Sequence, residues 1–456
     1  MLDEGWESIV TELANVPDLE LEKHFEELVA RYQVDMSSKC TVLVGMDTRK
    51  SSPLLCEALM TGISAAGGSA TNFGLLTTPQ LHYIVRCVNT DGLYGVASEE
   101  GYYNKLASAY LRLTELTGQS ANYQPHVVVD AANGVGALQL AKLAPLLKAK
   151  LTFDIVHDAN GVLNYQCGAD FVKVNQREPQ SVQPLKPGQR YASFDGDADR
   201  IIYYYQNSKD GKFRMLDGDK IAVLIAKYLK ETLTKAQLAD VKVSIVQTAY
   251  ANGSSTIYMR DVLQMDTFCV PTGVKHLHRK AEHCQIGVYF EANGHGTILF
   301  SNEVNERIKQ SSSNVYAQQL MHFIDLVNET VGDAISDMLI VESILNSLAL
   351  TIEEWDELYT DLPNRLLKQE VKDRNAITTT DAERKCVTPA GLQAAIDQVV
   401  ATFGTKARSF VRPSGTEDVV RIYAEADTQD AADLLAKKVA NLVFDLASGV
   451  GQKYQL

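Results

Sequence analysis

The sequence predicts three sequential α/β domains, the first of them incomplete, followed by a smaller C-terminal α+β domain. Three segments that begin at Thr41, His126 and Val243 share one order: an apolar strand, a small polar turn, an amphipathic helix and a second strand. Strands that alternate with helices in this way are typical of βαβ units on a largely parallel sheet. After about residue 350 the pattern changes to short strands and a final amphipathic helix over about 431–447.

At 456 residues the chain is too long for one hydrophobic core. We place the domains at 1–124, 125–215, 216–345 and 346–456. The first domain is predicted to be partial, because residues 1–35 have a charged, helical pattern and the first strand begins only at Thr41. Apolar residues supply one stripe of that helical pattern: Leu19, Leu21, Phe25, Leu28 and Val29.

Composition excludes several classes of function. A net charge of −14 argues against a nucleic-acid or anionic-membrane surface, since both need clustered Lys and Arg. No run approaches the roughly 20 apolar residues of a membrane span. The first residues do not have the pattern of a signal peptide. The odd number of cysteines, seven without CxxC pairs, fits reduced thiols, so we expect a cytoplasmic protein.

The strongest chemical signal is Asp195-Gly-Asp-Ala-Asp-Arg200, which lies between two apolar runs. Alternate side chains of extended backbone point the same way, so Asp195, Asp197 and Asp199 are predicted to converge. Three close carboxylates repel unless a cation neutralises them, and all-oxygen ligation favours Mg²⁺. An EF-hand does not fit, because its sixth and twelfth positions hold Arg200 and Gln206. A haloacid-dehalogenase-like phosphatase fits poorly, since a strand follows, and a solvated acidic turn is the remaining alternative.

A second signal is the segment Arg412-Pro-Ser-Gly-Thr416 between two predicted strands, with Arg421 on the second strand. A guanidinium, two hydroxyls and the amides around a glycine are the parts of an anion-binding loop. Taken alone, the same residues also make an ordinary turn. The predicted phosphate ligands are Arg412, Pro413, Ser414, Gly415, Thr416 and Arg421.

A third signal is Glu291-Ala-Asn-Gly-His-Gly296, after an apolar strand. Ligands of open α/β sheets lie beyond the carboxyl ends of strands, where Glu and Asn suit sugar hydroxyls or an amide. A loop whose glycines only turn the chain is the alternative. Arg49 and Lys275 each follow a strand and are candidates for a shared cleft, although a single basic loop residue is usually solvated. A dinucleotide fingerprint at Asn133 fails, because Gln139 stands where the third glycine belongs.

Taken together and in this order, these loops resemble the α-D-phosphohexomutase superfamily, and within it the eukaryotic phosphoacetylglucosamine mutase branch. The resemblance extends from about Val42 to Gly451. The stretches that carry it, besides the three loops above, are Gly74-Leu-Leu-Thr-Thr-Pro-Gln-Leu-His82, Cys167-Gly-Ala-Asp-Phe-Val172, Gln247-Thr-Ala-Tyr-Ala-Asn-Gly-Ser-Ser255, Thr272-Gly-Val-Lys-His-Leu-His278 and Leu358-Tyr-Thr-Asp-Leu-Pro-Asn-Arg365.

The resemblance implies a four-domain, heart-shaped enzyme that interconverts N-acetylglucosamine 6-phosphate and 1-phosphate through a bisphosphate, for UDP-N-acetylglucosamine synthesis. It implies Mg²⁺ held by the three aspartates and a phosphoserine. It further implies that Glu291, Ala292 and Asn293 hold the sugar and that the loop from Arg412, with Arg421, holds the phosphate that does not react. Supporting roles fall to Arg49, Arg200, Lys275 and His295. The expected partner is therefore a small amino-sugar phosphate; oligomeric state is not predicted.

One departure from the family pattern is serious. The family serine lies in a Thr-Ala-Ser-His-Asn-Pro loop, and no Ser-His-Asn-Pro occurs in these residues. Ser98 does not substitute, because its neighbours do not match. We therefore identify no catalytic phosphoserine and expect the stretch upstream of Val42 to be missing or replaced. Two hypotheses follow: a mutase whose start has been clipped, by gene-model error or splicing, or a non-catalytic sugar-phosphate-binding or regulatory isoform. For the 456-residue chain itself we expect little mutase turnover.

Overall fold

The structure is a computed structural model that describes residues 12–13, 16–17, 20–35, 37 and 40–456. Leu19, one residue of the predicted N-terminal stripe, lies outside the described residues. The chain separates into two compact units, one of residues 1–46 and 50–74 and the other of residues 47–49 and 75–456. Each unit is described by itself.

The first unit has a small core. Helix α1 (Leu21–Arg31) precedes β1 (Thr41–Met46), α2 (Ser52–Ala65) and β2 (Ser69–Leu75), and β1 and β2 form a two-stranded sheet. These elements match the strand, helix and strand that the sequence predicts there. Among the described residues of this unit, few apolar side chains are fully buried, while Leu54 and Leu55 on α2 are 70% and 63% exposed.

The second unit begins with two helices and a five-stranded sheet. Helices α3 (Thr78–Asn89) and α4 (Glu99–Thr117) lead into β3 (His126–Asp130), α5 (Val135–Leu147), β4 (Thr152–Val156) and α6 (Gly168–Asn175). Strands β5 (Tyr191–Phe194), β6 (Ile201–Gln206) and β7 (Phe213–Leu216) complete the sheet in the order β4-β3-β5-β6-β7. The β4, β3 and β5 strands are parallel, whereas β6 and β7 run antiparallel to their neighbours.

A second sheet follows the long buried helix α7 (Gly218–Lys235). Its elements are β8 (Val243–Gln247), α8 (Gly253–Ile257), which continues as a π-helical turn at Tyr258–Val262, then β9 (Asp266–Cys269), α9 (Val274–Ala281), β10 (Ile286–Phe290) and β11 (Gly296–Phe300). The order is β11-β10-β8-β9, with only the β10–β11 pair antiparallel. Strands β8 and β10 are buried along their whole length. The continuous apolar run of β10 predicts this burial, whereas β8 also buries Ser244 and Gln247.

Four further helices follow this sheet and lead to the C-terminal domain. They are α10 (Asn302–Gln310), α11 (Val315–Leu326), α12 (Ala334–Leu348) and α13 (Ile352–Asp356). The C-terminal elements are β12 (Asn364–Glu370), the hairpin of β13 (Thr378–Thr380) and β14 (Lys385–Thr388), α14 (Leu392–Ala401), β15 (Arg408–Pro413), β16 (Val419–Glu425) and α15 (Gln429–Leu446). Strands β12, β16 and β15 form an antiparallel sheet whose apolar face packs on α14 and α15.

The expected largely parallel sheets are therefore mixed. The correction has a local cause, because each of the two larger sheets is extended by strands that turn straight back on their neighbours. Phe194 of β5 pairs with Ile201 of β6, and Phe290 of β10 pairs with Gly296 of β11. The loops that the sequence singled out, between residues 194 and 201 and between residues 290 and 296, are these two tight connections. In the described part of the chain, every helix is too short or too polar to traverse a bilayer.

Candidate active site

The acidic loop between β5 and β6 brings three carboxylates together. One oxygen from each of Asp195, Asp197 and Asp199 lies within 4.8 Å of the other two. The predicted convergence is confirmed, but its predicted geometry is wrong. The backbone makes a turn with Ala198 at φ 58°, so the side chains meet by chain reversal and not by strand alternation.

Asp195 is the structural centre of this turn. Its Oδ1 accepts the backbone N–H groups of Asp199 and Arg200, at 3.1 and 3.2 Å. Its Oδ2 accepts the Arg200 Nε–H at 2.9 Å. Arg200 also pairs with Asp170 at the start of α6, so one guanidinium ties the turn to the neighbouring helix. The turn is thus held before any ligand arrives.

The charges at the turn fit a divalent cation. Burial and the neighbouring charge of Asp199 raise the pKa of Asp195 well above its ordinary value. Burial alone would raise the pKa of Asp199 as well, but its contacts with His295 and Arg200 outweigh burial and lower this pKa. Oδ1 of Asp199 is buried and accepts no hydrogen bond from the described residues. Three crowded oxygens, one of them without a donor, are a suitable donor set for Mg²⁺.

Thr78, to which the sequence analysis gave no role, holds Asp197, the middle aspartate of the acidic turn. Thr78, the first residue of α3, donates its hydroxyl to Asp197 Oδ2 at 2.8 Å, and its N–H reaches the Asp197 carbonyl at 3.3 Å. The preceding Thr77 caps α3 in a capping box with Gln80. The Leu-Leu-Thr-Thr-Pro stretch therefore fixes a helix N-terminus against the acidic turn.

The hairpin turn between β10 and β11 contacts the same acidic turn. His295 is 6% exposed, and its Nδ1 lies 3.2 Å from Asp199 Oδ2. The Ile201 N–H donates to the Gly294 carbonyl at 3.2 Å. Gly294 has φ 90°, and a Cβ there would lie 2.0 Å from the Ile201 carbonyl oxygen. Only glycine allows this approach, which joins the predicted sugar loop to the predicted metal loop.

Within that hairpin turn, two of the three predicted sugar ligands, Glu291 and Asn293, are held by each other and by the backbone. Asn293 Nδ2 donates to Glu291 Oε2 at 3.3 Å, while Asn293 Oδ1 accepts the His295 N–H at 3.0 Å. Glu291 Oε1 also accepts the Gly273 N–H at 3.3 Å. Ala292, between them, is half-buried in the turn.

A row of cations crosses one face of the C-terminal sheet. Arg412 on β15 lies directly opposite Arg421 on β16, which in turn lies opposite Lys368 on β12. Like charges opposite one another in a sheet are destabilising without an anion. Glu383 pairs with Arg412, and Glu417 lies 3.8 Å from Lys368. The Nε of Arg421 is buried and has no hydrogen-bond partner among the described residues. Lys368 was not predicted, because its alignment with the arginines depends on sheet order. We call Arg412, Arg421 and Lys368 the cation row.

The turn after Arg412 leaves its tip open. Ser414 is 4% exposed and its Oγ accepts long hydrogen bonds from the N–H groups of Thr416 and Glu417, both at 3.4 Å. Gly415 and Thr416 are exposed, and a Cβ at Gly415 would meet no atom within 4 Å. Pro413 ends β15 and begins the turn. Ser414 shapes this turn, and the exposed Gly415 and Thr416 leave room at its tip for an anion.

The contacts of Arg49 and Lys275 do not test the supporting roles predicted for these two residues, whereas Ser98 has a structural contact. Arg49 pairs with Asp47 in its own loop. Lys275 is exposed in the first turn of α9, two residues after Gly273. Ser98 is the N-cap of α4 and accepts the Gly101 N–H at 3.0 Å.

A second cluster, of Asp130, His157 and Cys167, also has metal-binding residue types. Its hydrogen bonds already saturate the carboxylate. Asp130 accepts the N–H groups of Ala132 and Gly168 and the Ser193 hydroxyl, and His157 Nδ1 lies 2.7 Å from Asp130 Oδ1. We assign this cluster a structural role at the ends of β3 and β4.

The four domains and the acidic turn place the chain in the phosphohexomutase class. Family models match it in chain order. Two are described as phosphoacetylglucosamine mutase AMG1, domain II (residues 93–202) and domain III (residues 217–350). The other two are the phosphoglucomutase/phosphomannomutase alpha/beta/alpha domain I (residues 13–100) and C-terminal domain (residues 366–442).

Individual relatives narrow the class further. The chain is 49% identical to human phosphoacetylglucosamine mutase over 462 residues, which cover all of this chain and 84% of the human protein. It is 42% identical to the Saccharomyces cerevisiae phosphoacetylglucosamine mutase, covering 93% of this chain and 81% of that protein. The chain belongs to the phosphoacetylglucosamine mutase family.

Solved structures support the same family assignment. Aspergillus fumigatus N-acetylphosphoglucosamine mutase in complex with GlcNAc-6P and magnesium matches with a TM-score of 0.91 and 45% identity, over 98% of this chain and 84% of that chain. A product complex of N-acetylglucosamine-phosphate mutase matches with a TM-score of 0.90 and 44% identity, over 97% of this chain and 84% of that one. A Burkholderia thailandensis phosphoglucomutase/phosphomannomutase family protein, at 15% identity and a TM-score of 0.56, shows only the shared fold.

Proposed function

We propose that the protein interconverts N-acetylglucosamine 6-phosphate and N-acetylglucosamine 1-phosphate with Mg²⁺ bound at the acidic turn. The observation that carries the proposal is the direct contact between the acidic turn and the sugar-loop hairpin. His295 reaches Asp199, and Ile201 donates to Gly294. A metal and a sugar would therefore be held by one hydrogen-bonded unit, as transfer of a phosphoryl group by positioning requires.

Asp195, Asp197 and Asp199 would hold the metal. When bound, Mg²⁺ supplies a positive charge that offsets the negative charge of a phosphoryl group in transfer. Arg200 keeps Asp195 in place and balances part of the acidic charge, while Thr78 orients Asp197. These two residues act on the carboxylates.

The cation row and the exposed turn at Gly415 and Thr416 would hold the phosphate that is not reacting. Guanidinium groups bind phosphate through two parallel N–H donors, and open backbone amides add further ones. Glu291 and Asn293 would hold the sugar, because each still has hydrogen-bonding capacity beyond the contacts that fix it within the hairpin turn.

We identify no phosphoryl carrier among these 456 residues, because the Ser-His-Asn-Pro motif of the family does not occur in them. Ser98 has the role of a helix cap, and its hydroxyl oxygen is engaged by Gly101. We therefore expect this chain to bind its substrate and metal but to turn over slowly on its own.

The test has a binding arm and a turnover arm. Calorimetry with Mg²⁺ present should give binding of N-acetylglucosamine 6-phosphate and much weaker binding of N-acetylglucosamine without the phosphate. Asp197→Asn should weaken Mg²⁺ binding, whereas Asp210→Asn, an exposed acid in the turn between β6 and β7, should not. Equal affinity for the sugar with and without phosphate would contradict the proposed function.

In the turnover arm, a coupled mutase assay primed with a sugar bisphosphate should give little product. Rapid turnover by the 456-residue chain would show that another residue carries the phosphoryl group.

We also propose a cytoplasmic location. All seven cysteines are free thiols in the structure, which suits a reducing compartment. Cell fractionation with detection of the protein tests this proposal, and recovery with secreted material would contradict it.

A further inference from the structure

The hairpin of β13 and β14 has a strained turn. Three of its four turn residues, Asp381, Ala382 and Glu383, have left-handed backbone, with φ of 54°, 53° and 68°. Each non-glycine residue in this conformation costs on the order of 1 kcal/mol. Three in succession need compensating contacts. Arg384 supplies some within the turn, where it donates to the Asp381 carbonyl and carboxylate at 3.0 and 2.6 Å. Glu383 supplies the contacts that reach outside the turn.

Glu383 connects the C-terminal domain to the domain that contains the sugar-loop hairpin. Its Oε1 accepts the Arg412 Nε–H at 2.8 Å. Its Oε2 accepts the Thr272 N–H at 2.8 Å and also the Thr272 hydroxyl. The Glu383 and Arg412 side chains are 18% and 20% exposed, so this pair is partly shielded from water.

The contact with Arg412 determines which guanidinium donors are available. Glu383 occupies Nε, the donor nearest the side-chain stem, and leaves the two terminal nitrogens. A guanidinium held along that edge presents its terminal N–H groups in one fixed direction. Because Thr272 neutralises part of the carboxylate charge with two donors, Glu383 repels a nearby phosphate less than an isolated carboxylate does.

The same contacts continue to the sugar loop. Gly273, the residue after Thr272, donates its N–H to Glu291 Oε1 at 3.3 Å. A continuous path therefore runs from Arg412 through Glu383 and the Thr272–Gly273 backbone to Glu291. The path joins a predicted phosphate ligand in one domain to a predicted sugar ligand in another.

We propose that Glu383 is a positioning residue that fixes Arg412 for phosphate binding and sets its distance from the sugar ligand Glu291. The proposal rests on the proposed function, since it takes Arg412 as a phosphate ligand. Glu383 acts through Arg412 and has no direct contact with the substrate.

The experiment measures binding of N-acetylglucosamine 6-phosphate to the full 456-residue chain by calorimetry in the presence of Mg²⁺. Glu383→Gln should raise the dissociation constant roughly tenfold. A glutamine has only one side-chain oxygen, so its amide N–H₂ group must face either the Arg412 donor or the two Thr272 donors, and that hydrogen bonding is lost. Binding of N-acetylglucosamine, which lacks the phosphate, should change little. Asp381→Asn removes one charge from the same turn without reaching Arg412, and it should bind the phosphate sugar as the unmodified chain does.

A second variant covers a failure of Glu383→Gln to fold. Thr272→Val keeps the side-chain shape and the backbone N–H but removes the hydroxyl donor to Glu383, so it should weaken binding by about threefold. Thr272→Ser retains the hydroxyl and should bind normally.

Arg412→Lys separates the two proposals. If Arg412→Lys binds the phosphate sugar normally, the phosphate site of the proposed function is wrong. If Arg412→Lys weakens binding but Glu383→Gln leaves it unchanged or tightens it, only the role of Glu383 is wrong. The double variant of the two should bind no more weakly than Arg412→Lys alone, because Glu383 acts through Arg412. Additive losses would also overturn the inference.

Discussion

Replacing Thr78 with valine should weaken Mg²⁺ binding while leaving helix α3 formed. The change keeps the side-chain shape and removes one hydroxyl, which donates to Asp197 Oδ2 at 2.8 Å. Asp197 is then free to rotate out of the position it shares with Asp195 and Asp199. The helix itself should be unaffected, since the cap of α3 is Thr77.

The size of the effect follows from this single contact. A hydrogen bond to a charged group contributes about 1.5–3 kcal/mol. Asp197 is only half-buried, so water replaces part of what is lost. A remaining cost of about 1.4 kcal/mol corresponds to a tenfold higher dissociation constant for Mg²⁺. This is the lower end of the usual effect of residues that orient metal ligands.

Titration of the 456-residue chain with Mg²⁺ by calorimetry measures this constant directly. Thr78→Ser keeps the hydroxyl and should bind as the unmodified chain does. Thr77→Ala is the control for stability, because it removes the helix cap that accepts the Gln80 N–H. It should lower the free energy of unfolding by about 1 kcal/mol and leave the affinity for Mg²⁺ unchanged. Unchanged Mg²⁺ binding by Thr78→Val would refute the assigned role of Thr78.

Three further predictions concern stability, measured by urea unfolding. The hydrogen bond with Asp130, opposed by burial, raises the pKa of His157, so its stabilising contribution is complete below about pH 6.5 and is lost as pH rises through the raised value. His157→Gln should flatten this decline, and an unchanged pH dependence would contradict it. Gly294→Ala should cost about 2–4 kcal/mol, because its Cβ would overlap the Ile201 carbonyl in left-handed backbone. Ser98→Ala should cost about 1 kcal/mol as a lost cap, and no loss would argue against that role.

Control variants separate these effects from general damage. His283→Gln is the matched substitution of an exposed histidine. Gly415→Ala adds a Cβ in open space and should leave the free energy of unfolding nearly unchanged, in contrast to Gly294→Ala. A similar loss in both glycine variants would mean that the close approach at Gly294 is not the cause.

Local patterns predicted much of the fold and the site. The buried strand β10 follows from its unbroken apolar run, and the acidic turn from its three aspartates between strands. The geometry of that turn could not be predicted, because the left-handed conformation of Ala198 has no signal in an alanine. The mixed character of the sheets was missed for a related reason, since a short polar loop does not reveal whether the next strand returns or crosses over.

The residues that were missed are those whose role depends on distant partners. Thr78 and Asp197 are 119 positions apart in sequence. Lys368 joins the arginines only because β16 lies between β12 and β15. Glu383 lies in a segment with an ordinary turn composition. Periodicity and motif spacing report on neighbours along the chain, so contacts of this kind become visible only when the sheet order is known.

The cation row has a consequence for how an anion approaches this protein. Within a Debye length of the surface, about 8 Å, a dianionic sugar phosphate meets the field of a chain with net charge −14. Only at contact does it meet Arg412, Arg421 and Lys368. Salt screens both the long-range repulsion and the short-range attraction. The repulsion slows association of the sugar phosphate, whereas the attraction slows its dissociation. Added salt should therefore speed capture of the sugar phosphate and speed its release, so that exchange quickens more than affinity changes.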